Sequence, residues 1–233
     1  MPSPIPARTQ VLVQGAADVE RRFLAAVYRW MAAGLLVTAG VSFAVAGSEA
    51  ALQFIFGGRA VLAVLLIAEL GLVVALSALV NRLSAPVAGL LFLTYSALNG
   101  VTLAAIFLVY TGASIANAFV VAAGAFLAMS VYGTVTRRDL SGWSSFLFMG
   151  LIGVVLAGVV NIFLRSEAVS FVASCAAVIV FTGLTAYDTQ KLRALARAGG
   201  GEIAAAPVNG ALALYLDFVN LFLALLRLFG RRR

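Results

Sequence analysis

Seven apolar stretches, each about as long as a bilayer is thick, take up most of this chain and leave little of it for a soluble fold. They run over about 23–46, 60–80, 85–109, 114–135, 144–164, 168–190 and 208–229. A helix that crosses the hydrocarbon core needs about 20 mainly apolar residues. The breaks between stretches carry turn and helix-stop residues: Gly57-Gly58, Asn81-Arg82 with Pro86, Thr111-Gly112, Arg137-Arg138-Asp139, Arg165-Ser166-Glu167 and Gly199-Gly200-Gly201. Barrel strands alternate over about 10 residues, and these runs do not. In lipid a helix satisfies its own backbone, so the expected fold is an all-α polytopic membrane protein with seven transmembrane helices. Composition agrees. The chain is 63% hydrophobic and 11% charged, where a soluble domain has roughly 45–50% and about 25%.

Residues 1–22 are polar and contain Arg8, Arg21 and Arg22, which reads as a mobile cytoplasmic tail ahead of one membrane domain over 23–230. No repeat with a period of 20–50 residues divides that domain. The first stretch exceeds the 7–15-residue core of a signal peptide and starts too far in. It is expected as a retained span, although Ala44-Val45-Ala46 has the small-residue spacing of a cleavage site. With the N-terminus inside, the inner segments hold Arg8, Arg21, Arg22, Arg29, Arg82, Arg137, Arg138, Lys191, Arg193 and Arg197, against Arg59 and Arg165 outside. That bias predicts a cytoplasmic N-terminus. The last stretch stays open. A full crossing carries Arg227, Arg231, Arg232 and Arg233 outside; a partial one keeps them inside. The basic end itself suits anionic lipid headgroups.

The chain has no histidine and one cysteine, Cys175. Histidine triads, His-ligated zinc, internal disulfides and cysteine metal clusters are thereby excluded. No phosphate loop, nucleotide motif or basic–aromatic nucleic-acid patch is present. Proton chemistry falls to few groups. Of nine acidic residues, Asp18, Glu20, Glu49, Glu167 and Glu202 lie in the tail or loops and are expected to be solvated. Asp139 is expected to pair with Arg137 or Arg138. Glu69, Asp188 and Asp217 remain at or near membrane depth. A carboxylate facing hydrocarbon costs several kcal/mol, so such residues turn inward and mark ion or proton paths. Asp217 is mid-way along its stretch, with Asn220 on the same face three residues on. Asp188 ends the sixth stretch beside Lys191, where an interfacial anchor is the plain alternative. For Glu69 the plain alternative is a hydrogen-bonded structural acid, and for Asn99 and Asn220 it is interhelical hydrogen bonding.

Three segments carry a resemblance. Ala186-Tyr187-Asp188-Thr189-Gln190-Lys191-Leu192 and Leu214-Tyr215-Leu216-Asp217-Phe218-Val219-Asn220-Leu221-Phe222, followed by Leu225-Leu226-Arg227, resemble the signature of the Bax inhibitor-1 family of membrane proteins. Ser96-Ala97-Leu98-Asn99-Gly100-Val101-Thr102-Leu103 looks like its third-helix motif. The resemblance spans roughly 20–230 and implies six helices around a central C-terminal helix. It implies a pH-sensitive calcium leak in the bacterial inner membrane, not an enzyme, with Asp188 and Asp217 as proton sensor and Arg82 as latch. It implies no cofactor, calcium being the ion moved. Physics supports such a pair. Two adjacent carboxylates in a low dielectric share a proton, which lets a chain without histidine respond to pH. Their oxygens, with Glu69, Asn99 and Asn220 in the polar interior, also suit Ca²⁺.

Three other readings compete. An intramembrane aspartyl protease would need Gly-x-Gly-Asp, but the run here is Leu214-Tyr215-Leu216-Asp217. The broken half-helices of a small-molecule transporter are not visible. A stress-response protein that binds a membrane protease through residues 1–22, without transport, is the alternative carried forward.

Overall fold

The computed structural model describes residues 7–79, 82–199 and 205–233. Nine α-helices are described: α1 Ala7–Ala46, α2 Glu49–Phe56, α3 Arg59–Leu79, α4 Ala85–Leu103, α5 Ala105–Val109, α6 Gly112–Val135, α7 Ser144–Leu164, α8 Glu167–Arg197 and α9 Ala206–Phe229. A single 3₁₀ turn at Ser141–Trp143 leads into α7. Seven segments are long and apolar enough to cross a bilayer: α1 from Ala17, α3 from Ala60, α4 continuing through α5, α6, α7 with the turn before it, α8 and α9. The fold is therefore an all-helical membrane protein.

The starts of the helices follow from local chemistry. Ser48, Thr111 and Ser166 cap α2, α6 and α8 by accepting the N–H of Ala51, Ser114 and Val169. α4 and α9 carry Pro in their first turn, where no backbone donor is lost. α7 ends at Arg165, whose backbone is left-handed at φ 50°.

The N-terminus departs from the expected tail. α1 begins at Ala7 and runs unbroken into the first span, and residues 1–6 lie outside the described residues. At 40 residues and about 1.5 Å per residue, α1 outruns a hydrocarbon core about 30 Å thick. Its polar half is anchored: Glu20 accepts from Arg193 Nε at 2.5 Å and Arg197 Nε at 2.6 Å, both on α8.

α9 is the helix most enclosed by the others. It packs against α1, α3, α4, α6 and α8, while α7 packs on α8. Lipid tails supply no hydrophobic force between helices, so close backbone approach has to come from small residues. Gly133 of α6 meets the backbone carbonyl of Ala186 on α8, where a Cβ has no room. Gly100 of α4 fits against Thr38 and Val41 of α1 in the same way.

Because successive spans alternate direction, α9 ends on the face of the α5–α6 and α7–α8 loops, opposite the α3–α4, α6–α7 and α8–α9 loops. Backbone bonds fix it there. Thr111 N donates to Arg231 O at 3.1 Å and Arg233 N to Val109 O at 3.0 Å, with Tyr110 and Arg232 bridged antiparallel. The last stretch thus crosses fully, which the sequence had left open. We call its exit side the C-terminal face and the other the N-terminal face.

Candidate functional site

Asp217 sits 11 residues into α9, about 16 Å along the helix axis, and is only 4% exposed. Asp188 of α8 faces it, close enough for the two carboxyl groups to interact. The packing behind this is tight. Gly210 of α9 seats Leu192 of α8, and Thr185 and Thr189 of α8 are fully buried. Asp217 Oδ2 is buried with no protein hydrogen-bond partner, as are Ser130 Oγ on α6 and Thr189 Oγ1 on α8. Unpartnered buried oxygens are costly.

Asp188 is the member of the pair that reaches a cavity. Asp188 and Lys191 line two clefts on the N-terminal side. One, of about 420 Å³, lies between α7 and α8; the other, of about 540 Å³, lies between α8 and α9. Lys191 also holds its ammonium 5.9 Å from the centre of the Tyr187 ring. Towards the C-terminal face, α9 continues with Phe218 and Phe222, which meet Phe119 and Phe126 of α6 edge-on. Their ring centres are 5.4 to 6.2 Å apart. The carboxyl pair thus lies between the two clefts that Asp188 lines and a cluster of four phenylalanine rings.

A second polar group holds the opposite side of α9. Glu69 of α3 accepts from Thr102 Oγ1 at 2.9 Å and Asn99 Nδ2 at 3.4 Å, both on α4. Asn99 Oδ1 accepts from the Tyr215 hydroxyl at 3.0 Å, which lies 2.6 Å from Thr38 Oγ1 of α1. Four helices are joined through this chain. Tyr215 and Asp217 are two residues apart, about 200° around a helix. α9 is therefore gripped by polar contacts on both flanks.

Other expected residues lie elsewhere. Arg82 is exposed in the α3–α4 turn, and none of the ion pairs among the described residues includes it. Asn220 donates to Leu216 O of its own helix at 2.8 Å and does not join the carboxyl pair. Asp139 accepts from Ser141 N at 2.9 Å and forms no ion pair with Arg137 or Arg138. That N–H holds its carboxyl below the ordinary value of 3.8. Glu20, expected to be solvated, is instead the α1–α8 clamp.

Sequence reading also missed Thr38, Tyr215 and Gln190. Gln190 accepts Leu140 N at 2.8 Å and donates to Arg138 O at 2.9 Å, fastening the α6–α7 loop to α8. Among the described residues no three His, Cys, Asp or Glu side chains cluster as metal ligands.

Comparison with known proteins gives a consistent picture. Residues 20–233 match the model of the family described as inhibitor of apoptosis-promoting Bax1. The inner membrane protein YbhL of Escherichia coli (strain K12) is 51% identical over 230 residues, covering 97% of this chain and 98% of that protein. An uncharacterized protein of Deinococcus radiodurans is 46% identical over 94% of each chain. An uncharacterized membrane protein of Streptococcus pyogenes serotype M1 is 44% identical over 64% of this chain and 66% of its own.

Proposed function

The chain belongs to the Bax inhibitor-1 family, and from that premise and the buried carboxyl pair we propose that it is a pH-sensitive cation leak gated by Asp188 and Asp217. The observation that carries the reading is Asp217 itself: a mid-span carboxyl, 4% exposed, with an unpartnered oxygen, facing an acid that lines two clefts. Two carboxyls close together in a low-dielectric site share a proton. The pair with one shared proton carries one negative charge; losing that proton adds a second beside apolar walls, which either draws in a cation or drives the helices apart. Gaining a second proton removes the cation's reason to enter. Protons and cations thus compete for one pair of oxygens, and flux depends on pH.

Calcium is the proposed cargo. It prefers oxygen ligands and takes about 6–8 of them. Two carboxyls, even with the hydroxyl of Thr189 next to Asp188 in the chain, fall short of a storage site, which suits passage. Exposed Arg82 acts as latch only if the α3–α4 turn swings inward. The membrane is proposed to be a bacterial inner membrane with the N-terminal face cytoplasmic, since that face holds Arg21, Arg22, Arg29, Arg82, Arg137, Arg138, Lys191, Arg193 and Arg197. A second reading, a regulator that binds a membrane protease without transport, draws on α1, whose length carries it past the bilayer.

The test is calcium flux in proteoliposomes titrated from acidic to alkaline pH. The parent protein should show a step. Asp217→Asn and Asp188→Asn should flatten it, and the idea fails if both keep the parent profile.

A further inference from the structure

We propose that the C-terminal face carries a binding site for the phosphate of an anionic phospholipid headgroup, built by Arg165, Arg227 and Arg232. The three arginines line one open cleft of about 550 Å³ at the ends of α7, α8 and α9. None of them is in an ion pair among the described residues. Glu167 is the single acid in the lining, so the cleft holds three positive charges against one. Further donors converge on it. Asn161 accepts Ser166 N through Oδ1 at 2.9 Å, which leaves its amide N–H₂ free. The Ser170 hydroxyl and the first turn of α8, whose dipole favours an anion, complete the wall.

The site is pre-organised. Arg232 is held by the antiparallel bridge to Tyr110, and the neighbouring Arg231 N donates to Ser114 Oγ at 2.9 Å. Arg165 occupies a left-handed position, φ 50°, that glycine takes more easily. Fixing donors beforehand lowers the cost of binding, and guanidinium pairs with phosphate oxygens in a bidentate fork.

What lies beside the cleft selects a lipid over a free anion. Phe171 lines it at 61% exposure, and Ile162, Phe163 and Leu164 of α7 and Phe229 of α9 stand exposed nearby. An occupant with a charged head and two hydrocarbon tails matches both surfaces. The net charge of the cleft favours an anionic headgroup of the phosphatidylglycerol type over a zwitterionic one.

The experiment is thermal unfolding of the full chain in uncharged detergent at constant ionic strength. It is titrated separately with short-chain phosphatidylglycerol, short-chain phosphatidylcholine and inorganic phosphate. Phosphatidylglycerol alone should raise the midpoint saturably. Arg165→Gly, and Arg227→Gln with Arg232→Gln, should raise the half-saturating concentration about tenfold or more, the loss of charge-assisted bonds. Arg165→Gly should unfold no earlier than the parent without lipid, since glycine relieves the backbone. Arg137→Gln with Arg138→Gln, on the other face, should leave the titration unchanged. The proposal is overturned if phosphatidylcholine or inorganic phosphate gives the same shift, or if the cleft variants bind as tightly as the parent.

Discussion

Replacing Glu20 by Ala should loosen the bundle by roughly 2 kcal/mol. The figure is bounded from two sides. Exposed ion pairs contribute about 0–1 kcal/mol, and breaking a fully buried pair costs about 3–5. The Glu20 side chain is 14% exposed, with Arg193 at 28% and Arg197 at 55%, so the clamp falls between these limits. Arg193 also donates to Thr134 O on α6. It ties α8 to two helices, whereas Arg197 ties it to one. Arg193→Ala should therefore cost more than Arg197→Ala, and Glu20→Gln, which keeps a neutral acceptor, should cost less than Glu20→Ala. The assay is reversible unfolding in mixed detergent micelles of rising denaturing fraction. A loss of 2 kcal/mol is roughly a 30-fold change in the unfolding constant. High salt should narrow the gap between parent and Glu20→Ala, because the pair is partly wet. The reasoning is refuted if Glu20→Ala changes stability by less than about 0.3 kcal/mol, a size typical of surface substitutions. It is equally refuted if Arg197→Ala proves the costlier arginine variant.

Other outcomes are open to measurement by the same unfolding assay. Tyr215→Phe keeps the edge-on packing with Phe92 and Tyr95 but removes two hydroxyl contacts. At about 0.6 kcal/mol for each interhelical bond it should cost roughly 1 kcal/mol, and Asn99→Ala in the same background should add less than it does alone. Gly133→Ala drives a methyl into the Ala186 carbonyl and should cost about 1–3 kcal/mol. Gly124→Ala on the same helix meets nothing within 4 Å and should be neutral or slightly stabilising. Asp139 has a folded carboxyl held below 3.8, so its contribution is full above that value and fades as pH falls through the folded one. Asp139→Ala should therefore lower stability at neutral pH and converge with the parent in acid.

The membrane spans were legible because each is a long apolar run, and Thr111 and Ser166 marked starts that the helices use. Asp188 and Asp217 stood out because carboxylates are scarce where solvation is absent. What stayed hidden depends on partners far away in the chain. Nothing local to Glu20 says that it meets Arg193 and Arg197. Nothing in the motif around Asn99 says that its amide bridges Glu69 to Tyr215. Asp139 looked paired to its neighbours by adjacency, yet the turn into α7 offered a backbone N–H in a better position. Arg82 matched by counting, but a turn at the bilayer edge lets a long cationic side chain reach water. The polar character of residues 1–22 suggested a tail, while α1 runs as helix from Ala7 and Glu20 is clamped to α8.

The burial of α9 has a consequence for biosynthesis. In α9, 61% of the most apolar window is enclosed by protein, against 6% to 33% in the other spans. Yet the ribosome makes α9 after all of them, at about 5–20 residues per second. The six earlier spans enter the bilayer with the seat of α9 unfilled, and Thr38, Asn99 and Asp188 wait there for partners that do not yet exist. Assembly of this protein is therefore a late closure, in which the final helix threads a groove already lined with polar groups. A nascent chain halted before Ala206 is a membrane-inserted but coreless substrate for quality control.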